Sequence, residues 1–325
     1  MKHTFSKTIV FVLALAALFS SCNKNEAPQF QADQEQRYNI NVTLGGAAVE
    51  VETKSTGVAS TISANEAKVN NLQVLVFRGD FLDAYGTASG NMMTISCTAG
   101  SRTIYALVNA PDLSAVTSLS ALESTIVDLS DNAPNSFVMV GSKTTTLPGT
   151  KAITIPVYRM VSRIVLKQIT RNFSAPALQN LTFTVDSIYV INAAGSFNYK
   201  LDSAPTKWYN VGKDQGELPD LLMDAPSVTI ANNASYTTPH YFYVMPNSGS
   251  TKPTRLVIVA TLGTEKYYYP VTLPAMQYNK SYEIVGVTIR RGGSDSPDSP
   301  VLFDNIAFSV NVTGWTTTDI SEQLI

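Results

Sequence analysis

Residues 38–44 have the sequence Tyr38-Asn39-Ile40-Asn41-Val42-Thr43-Leu44, in which apolar and polar side chains alternate at every position. A period of two places every second side chain on the same face of an extended strand. One face of this strand is therefore expected to be buried and the other to meet solvent. We predict a β-strand over residues 38–44, and this strand indicates the fold class of the chain around it.

Short stretches of β-branched and aromatic residues follow along most of the chain. Residues 113–129 carry apolar residues at helical spacing and predict one short helix, while residues 192–235 are rich in turn-forming residues and predict surface loops. Residues 290–300 are rich in Gly, Ser and Pro and predict a flexible hinge before a last strand. The further strands are predicted at 72–77, 92–97, 103–109, 137–140, 153–158, 163–169, 181–191, 241–245, 255–261, 266–273, 281–289 and 305–312.

Many short strands with little helix predict an all-β protein made of antiparallel β-sandwiches rather than a parallel sheet. A length of 325 residues fits two such domains in tandem. We predict a signal peptide over residues 1–21, a tether with an N-terminal strand over 22–54, and sandwiches over 55–157 and 158–325.

Composition excludes several classes of function. The chain has a formal net charge of −2 and a pI near 5.7, so it lacks the basic surplus that binding to nucleic acid needs. It contains two histidines, and His240 alone lies outside the targeting segment, which excludes a multi-histidine metal site. The sequence motifs of common hydrolases, nucleotide-binding enzymes and redox enzymes are absent. We predict that the protein is not an enzyme and uses no metal and no cofactor.

The N-terminal residues have the order of an export signal. Lys2 and Lys7 precede an apolar stretch over 8–19 that ends in Ser20-Ser21-Cys22. This stretch is shorter than the roughly 20 residues that span a bilayer. A cysteine directly after small residues predicts a lipoprotein acylated at Cys22, and three acyl chains would anchor it stably in a membrane. Ordinary secretion, with an incidental cysteine, is the alternative.

Several segments in the same order along the chain carry a family resemblance. They are Ser20-Ser21-Cys22, the strand at 38–44, residues 95–103, residues 159–164, and residues 280–284 followed by the Gly/Pro-rich segment and a last strand that ends at Trp315. With these segments the sequence resembles the fimbrillin family of Bacteroidales, the structural subunits of type V pili. The resemblance covers essentially the whole chain, although each motif alone is weakly specific.

The resemblance implies two transthyretin-like β-sandwiches, export as a lipoprotein, proteolytic removal of an N-terminal segment, and polymerisation by strand donation. Cleavage at Arg37-Tyr38 would leave the strand attached, whereas cleavage at Lys54-Ser55 would remove it. We therefore favour Lys54-Ser55 as the cleavage site. Members of this family cut by an arginine-specific protease carry Arg at this place, so Lys54 points to a surface protease of trypsin-like breadth. The removed strand would present Tyr38, Ile40, Val42 and Leu44.

The donated strand is expected in the C-terminal part of the chain, where two candidates stay open. Ile306, Phe308, Val310 and Val312 alternate with polar residues and could fill the pockets of another subunit. They could equally form the last strand of the second sandwich. In that case the segment after Trp315, with Ile320 and Leu324, would be the donor.

The leading hypothesis for function is a structural subunit of cell-surface fimbriae that supports adhesion, with a stalk position favoured over a tip. Its partners would be copies of itself or related pilins, the outer membrane before processing, and the surface protease, with no nucleic acid. The precursor would be an outer-membrane lipoprotein and the product a fimbrium. The alternative is a tip or accessory adhesin, or a static surface lipoprotein, that binds glycan or protein.

Overall fold

Strands dominate the residues that the computed structural model of the protein describes, which are 36–45, 65–149, 151–249, 252–299, 301 and 306–315. The strands of the first half are β1 (Arg37–Gly45), β2 (Leu72–Arg78), β3 (Phe81–Ala88), β4 (Met92–Thr98), β5 (Gly100–Val108), β6 (Ile126–Asp128), β7 (Met139–Leu147), β8 (Ala152–Pro156) and β9 (Tyr158–Arg159).

Longer strands and short strand pairs follow in the second half. They are β10 (Ser162–Leu166), β11 (Ile169–Arg171), β12 (Phe183–Ile191), β13 (Ala193–Ala194), β14 (Ser196–Asn198), β15 (Trp208–Tyr209), β16 (Met223–Asp224), β17 (Val228–Thr229), β18 (Ser235–Tyr236), β19 (His240–Val244), β20 (Arg255–Leu262), β21 (Glu265–Thr272), β22 (Lys280–Ile289) and β23 (Ile306–Gly314). Short helices among the described residues include Leu119–Ser124, Pro176–Gln179, Pro219–Leu222 and the 3-10 turn Leu129–Asp131.

The first half forms two sheets around one apolar cluster. A three-stranded sheet has the order β4-β1-β8, and a five-stranded sheet has the order β3-β2-β5-β7-β9. Side chains from both sheets build the cluster, among them Ile40, Val42, Leu44, Val74, Val76, Ile95, Cys97, Ile104, Ile153 and Ile155. Alternate residues of β1 point into this cluster, as the period of two predicts.

The second half contains two larger sheets. In one, β22 lies between β23 on one side and the successive strands β10 and β11 on the other, and these pair in turn with β19 and β18. The other has the order β16-β12-β20-β21, with β17 also beside β12. The all-β fold with two sandwiches is thus confirmed. The pairings of β1 with β8, and of β10 and β11 with β22, are parallel, so the sheets are mixed.

The two halves meet closely. Strand β6 from the first half pairs with β14 from the second, and one buried apolar cluster runs from β2 and β5 to β22 and Trp315. From Arg37 onward, the described residues form one compact unit. The proposed division between residues 157 and 158 therefore stays a prediction, and β9, which follows it, pairs with β7 of the first half.

The helix expected over residues 113–129 is shorter in the structure. Ser118 caps the helix Leu119–Ser124 by accepting a hydrogen bond from the Ala121 amide at 3.1 Å. The next residues leave the helix to form β6, which pairs with β14 about 70 residues further along the chain. Helical spacing is a local signal, and pairing with a distant strand overrides it here.

Residues 290–300 were expected to form a flexible hinge, and this expectation is wrong for the described part. The Tyr268 and Ser294 amides each donate to the other residue's carbonyl at 2.9 Å, and the Tyr269 hydroxyl donates to the Arg291 carbonyl at 3.0 Å. A Cβ at Gly293 would lie 2.4 Å from the Tyr268 carbonyl oxygen, so glycine permits this close approach. The segment covers the edge of β21 that would otherwise lie open.

Candidate functional site

Strand β1 occupies the centre of the three-stranded sheet and carries its buried side chains. Ile40, Val42 and Leu44 are 1%, 0% and 5% exposed. Asn39 and Asn41, on the other face of the strand, are exposed. Full burial of such a side chain contributes about 1.5–3 kcal/mol relative to exposure. Among the described residues, strand β1 therefore supplies three of the sixteen buried residues of the apolar cluster between the two sheets.

The backbone of β1 is paired on both sides. It runs antiparallel to β4, with Ile40 opposite Ile95, and parallel to β8, with Val42 opposite Ile153. Without β1, the facing edges of β4 and β8 would carry unpaired amide and carbonyl groups beside an open apolar cluster. We call the space that β1 fills between β4 and β8 the acceptor groove.

A charged cluster holds the start of β1. Arg37 donates from Nη2 to the Ser96 carbonyl at 2.7 Å and to the Asp83 carbonyl at 3.2 Å. Asp83 Oδ2 in turn accepts from Arg102 Nε at 2.8 Å, the Thr98 amide at 2.8 Å and the Thr98 hydroxyl at 2.9 Å. Burial acts to raise the pKa of Asp83, but the hydrogen bonds from Thr98 and Arg102 outweigh it and lower this pKa below its ordinary value.

The lowered pKa of Asp83 makes stability depend on pH. Its contribution is complete above about pH 4, where an unfolded aspartate is already ionised, and is lost as the pH falls through the lower pKa of the folded state. We expect the difference in unfolding free energy between the wild type and Asp83→Asn to shrink as the pH is lowered from about 6 to about 2. Denaturant unfolding at a series of pH values measures this difference. A difference that stays constant over the range would contradict the assignment.

Strand β23 lies at the edge of its sheet. It pairs antiparallel with β22, and no other strand among the described residues pairs with it. Val310 packs partly against the apolar cluster, but Phe308 and Val312 on the same face remain 40% and 52% exposed. The opposite sheet therefore leaves part of this apolar row uncovered.

Trp315, directly after β23, is buried to 1% exposure. Its ring stacks on Tyr243 at a centroid distance of 5.8 Å, and the Arg159 and Arg163 guanidinium carbons lie 4.7 and 5.2 Å from the ring centroid. Its indole Nε1 donates to Glu66 Oε2 at 3.0 Å. The last described residue of the chain is thus held by stacking, two cations and a hydrogen bond.

Two family models match successive parts of this chain. The model of the major fimbrial subunit protein (FimA) matches residues 38–186, and that of the Fim1C-like fimbrium tip subunit, C-terminal domain, matches residues 160–279. Both models describe fimbrial subunits, and over these residues the chain is similar to the Bacteroidales fimbrillin family. Both matched parts include strands described above, and the first begins inside β1.

One curated relative is the major fimbrium subunit FimA type-2 of Porphyromonas gingivalis, 32% identical over 111 residues. These residues are 33% of this chain and 26% of that relative, so the match spans about a quarter of the relative's length.

Solved structures share the fold. A putative cell adhesion protein from Bacteroides eggerthii has a TM-score of 0.67 at 21% identity, covering 86% of this chain and 96% of that one. A fimbrilin from P. gingivalis W83 has a TM-score of 0.59 at 16% identity, covering 86% and 98%. The tip fimbrial protein Mfa3 from P. gingivalis has a TM-score of 0.52 at 13% identity, covering 86% and 100%. At these identities the likeness concerns the fold.

The structure describes only some of the predicted site residues of this chain. Arg37, Tyr38 and the rest of β1 are described, as are β23 and Trp315. Cys22, Lys54, Ser55, Ile320 and Leu324 lie outside the described residues. In the part of the chain that is described, no group of His, Cys, Asp and Glu could hold a metal ion, and no helix is long and apolar enough to cross a membrane.

Sequence reasoning did not find Glu66. It carries no motif, and its contacts come from residues that are distant in the chain. The one local signal is a lone acidic residue within a stretch rich in Ser, Thr and Ala, and that pattern is more typical of a solvated loop.

Proposed function

We propose that this protein is a fimbrillin, a structural subunit of a cell-surface fimbria, and polymerises by donor-strand exchange. Proteolysis removes β1, and a strand from another copy takes its place in the acceptor groove. The single observation that carries the proposal is the central position of β1, paired on both sides and contributing three buried side chains. The proposed role needs no catalytic chemistry.

Filling the emptied acceptor groove provides the favourable free energy for assembly. An incoming strand would restore the main-chain hydrogen bonds along β4 and β8 and bury alternate apolar side chains in the sites of Ile40, Val42 and Leu44. Apolar burial stabilises such a complex by roughly 25 cal/mol per Å². Because each subunit both donates and accepts, the contacts are head to tail and build an open filament.

The contacts of Arg37 favour cleavage at Lys54-Ser55 over cleavage at Arg37-Tyr38. The Arg37 side chain is bound to two carbonyls, and its backbone is paired opposite Thr98. A trypsin-like protease needs the basic side chain free for its specificity pocket. Cleavage after Lys54 also releases the whole of β1. The precursor in this scheme is an outer-membrane lipoprotein acylated at Cys22.

The C-terminal part of the chain supplies the donor strand. The half-exposed apolar row of Phe308 and Val312 supports β23 as the donor. The buried contacts of Trp315 instead support the segment after it, with Ile320 and Leu324, as the donor. Donation of β23 would require Trp315 to leave its contacts with Tyr243 and Glu66.

The reactivity of the Cys97 thiol toward an alkylating reagent tests whether β1 is removed and replaced. Cys97 is 0% exposed on β4 in the apolar cluster, its Sγ is 3.9 Å from the Tyr38 carbonyl, and burial raises its pKa. We expect it to resist alkylation in the precursor, to react after cleavage, and to be protected again in filaments. Intact mass of polypeptide sheared from cells gives the second readout, expected to begin at Ser55 without lipid. Filaments built from chains that begin at an acylated Cys22 would overturn strand removal.

A second candidate is a tip subunit, because residues 160–279 match a family model of a tip subunit's C-terminal domain. A stalk subunit both accepts and donates a strand, whereas a tip subunit does only one of these. Electron microscopy with antibody against this chain separates the two: labelling along the whole filament supports the stalk, and labelling confined to its end supports the tip.

A further inference from the structure

Glu66 lies at the centre of a buried polar network. The residue is 1% exposed, and its Oε2 accepts from Arg163 Nη1 at 2.8 Å and from Trp315 Nε1 at 3.0 Å. Its Oε1 accepts from the Tyr243 hydroxyl at 2.8 Å, and its backbone carbonyl accepts from Arg159 Nε at 2.9 Å. One residue thus binds four side chains that come from three separate segments of the chain.

The network is ionic as well as buried. Burial lowers the pKa of Arg159 to about 10, with the nearby Glu66 acting in the opposite direction, so Arg159 stays charged at neutral pH. Two guanidinium groups therefore face one carboxylate and the π face of Trp315. Charged side chains are almost never fully buried unless they are paired. Removing the carboxylate would take away the negative charge that Glu66 supplies to this buried cluster.

The position of this network in the chain points to assembly. Glu66 follows the proposed cleavage site at Lys54-Ser55, so it remains in the matured subunit. Trp315 precedes the C-terminal segment that contains Ile320 and Leu324. The carboxylate of Glu66 consequently binds Trp315, a residue that precedes that segment in the sequence.

We propose that Glu66 is a positioning residue for donation: it fixes Trp315, so that the C-terminal segment leaves each subunit from a defined place toward a second copy of this chain. The inference rests on the proposed function. A donor segment with a fixed origin loses less conformational freedom when it enters the next groove, and preorganisation of this kind accelerates association. None of the four side chains that bind Glu66 belongs to β4 or β8, the strands that border the acceptor groove, so acceptance should be independent of Glu66.

The first test follows Trp315 in the full chain. The sequence contains two tryptophans, and a Trp208→Phe background leaves Trp315 as the only one. In that background Glu66→Gln is expected to shift the emission to longer wavelength and to increase quenching by acrylamide. Amide hydrogen exchange in β23 is expected to rise by about tenfold or more. Glu123→Gln is the matched control, because Glu123 accepts from the Tyr105 hydroxyl at 2.9 Å outside the network.

The second test measures assembly. Precursor is purified, matured with trypsin and followed by sedimentation of filaments. Matured Glu66→Gln should polymerise about tenfold more slowly or worse, while Cys97 reactivity after cleavage should equal that of the wild type. Should Glu66→Gln fail to fold, Trp315→Phe keeps an aromatic ring but removes the donor to Glu66, and it is expected to slow assembly in the same way.

Three results would overturn the inference. Trp315 emission that is unchanged in Glu66→Gln would show that the carboxylate does not hold the ring. An exposed Trp315 with wild-type assembly kinetics would reduce the network to a structural role. Faster assembly would mean that the network restrains a strand that has to detach, as donation of β23 itself would require. Failure of the matured wild type to polymerise at all would instead overturn the proposed function, whatever the fluorescence shows.

Discussion

Replacing Lys54 with alanine is expected to abolish filaments and to leave the lipidated precursor at the cell surface. Without a basic residue at this place, a trypsin-like protease cannot cut between β1 and the first sandwich, and β1 stays in the acceptor groove. A groove that its own strand fills cannot accept a strand from another subunit. Electron microscopy of cells and intact mass of the surface protein measure the outcome.

The matched control for Lys54→Ala is Arg37→Ala, which removes the basic residue at the start of β1. The Arg37 side chain binds the Ser96 and Asp83 carbonyls, so this variant is expected to lose a little stability and to mature normally. Normal filaments from Lys54→Ala, together with their loss in Arg37→Ala, would move the cleavage site to Arg37-Tyr38. That outcome would also contradict removal of β1.

Placing a charge on the buried face of β1, as in Val42→Asp, is expected to lower the unfolding free energy of the precursor by about 3 kcal/mol or more. Val42 is fully buried among the apolar side chains of both sheets. Filaments that form from this variant should dissociate at the same temperature as wild-type filaments, because β1 is absent from both. Guanidinium unfolding of the purified precursor and thermal dissociation of sheared filaments measure the two effects.

The control for Val42→Asp is Asn39→Asp on the exposed face of the same strand. It adds the same charge in water and is expected to change the unfolding free energy by less than about 0.5 kcal/mol. If Val42→Asp destabilised filaments and precursor equally, β1 would have to be a permanent part of the subunit.

Local sequence patterns predicted most of the strands but not all of them. Strand β1 is predicted because apolar and polar residues alternate along it without a break. In the structure one of its faces is buried, as this alternation indicates. Strand β3 was not predicted, since Phe81–Ala88 is partly buried along nearly its whole length and has no clear alternation. Because side chains on both faces of this strand are partly buried, apolar and polar residues do not alternate regularly along it.

The residues of the candidate site divide in the same way. The side chains of β1 and the apolar row of β23 could be listed from the sequence, because a strand's two faces follow from its own residues. The contacts that make Trp315 part of the site could not. Its hydrogen bond to Glu66 joins residues 249 positions apart, and no pattern within one segment encodes such a pair.

By itself, the sequence determined the all-β class and the two-faced strand at residues 38–44, because side-chain periodicity is a property of consecutive residues. The tertiary structure decided that this strand lies in the centre of its sheet, parallel to β8 and antiparallel to β4. It also decided that the segment after β22 packs against β21 and that Glu66 meets Trp315. These features depend on which distant segments share one core, and that choice is made by the free energy of the whole packed chain.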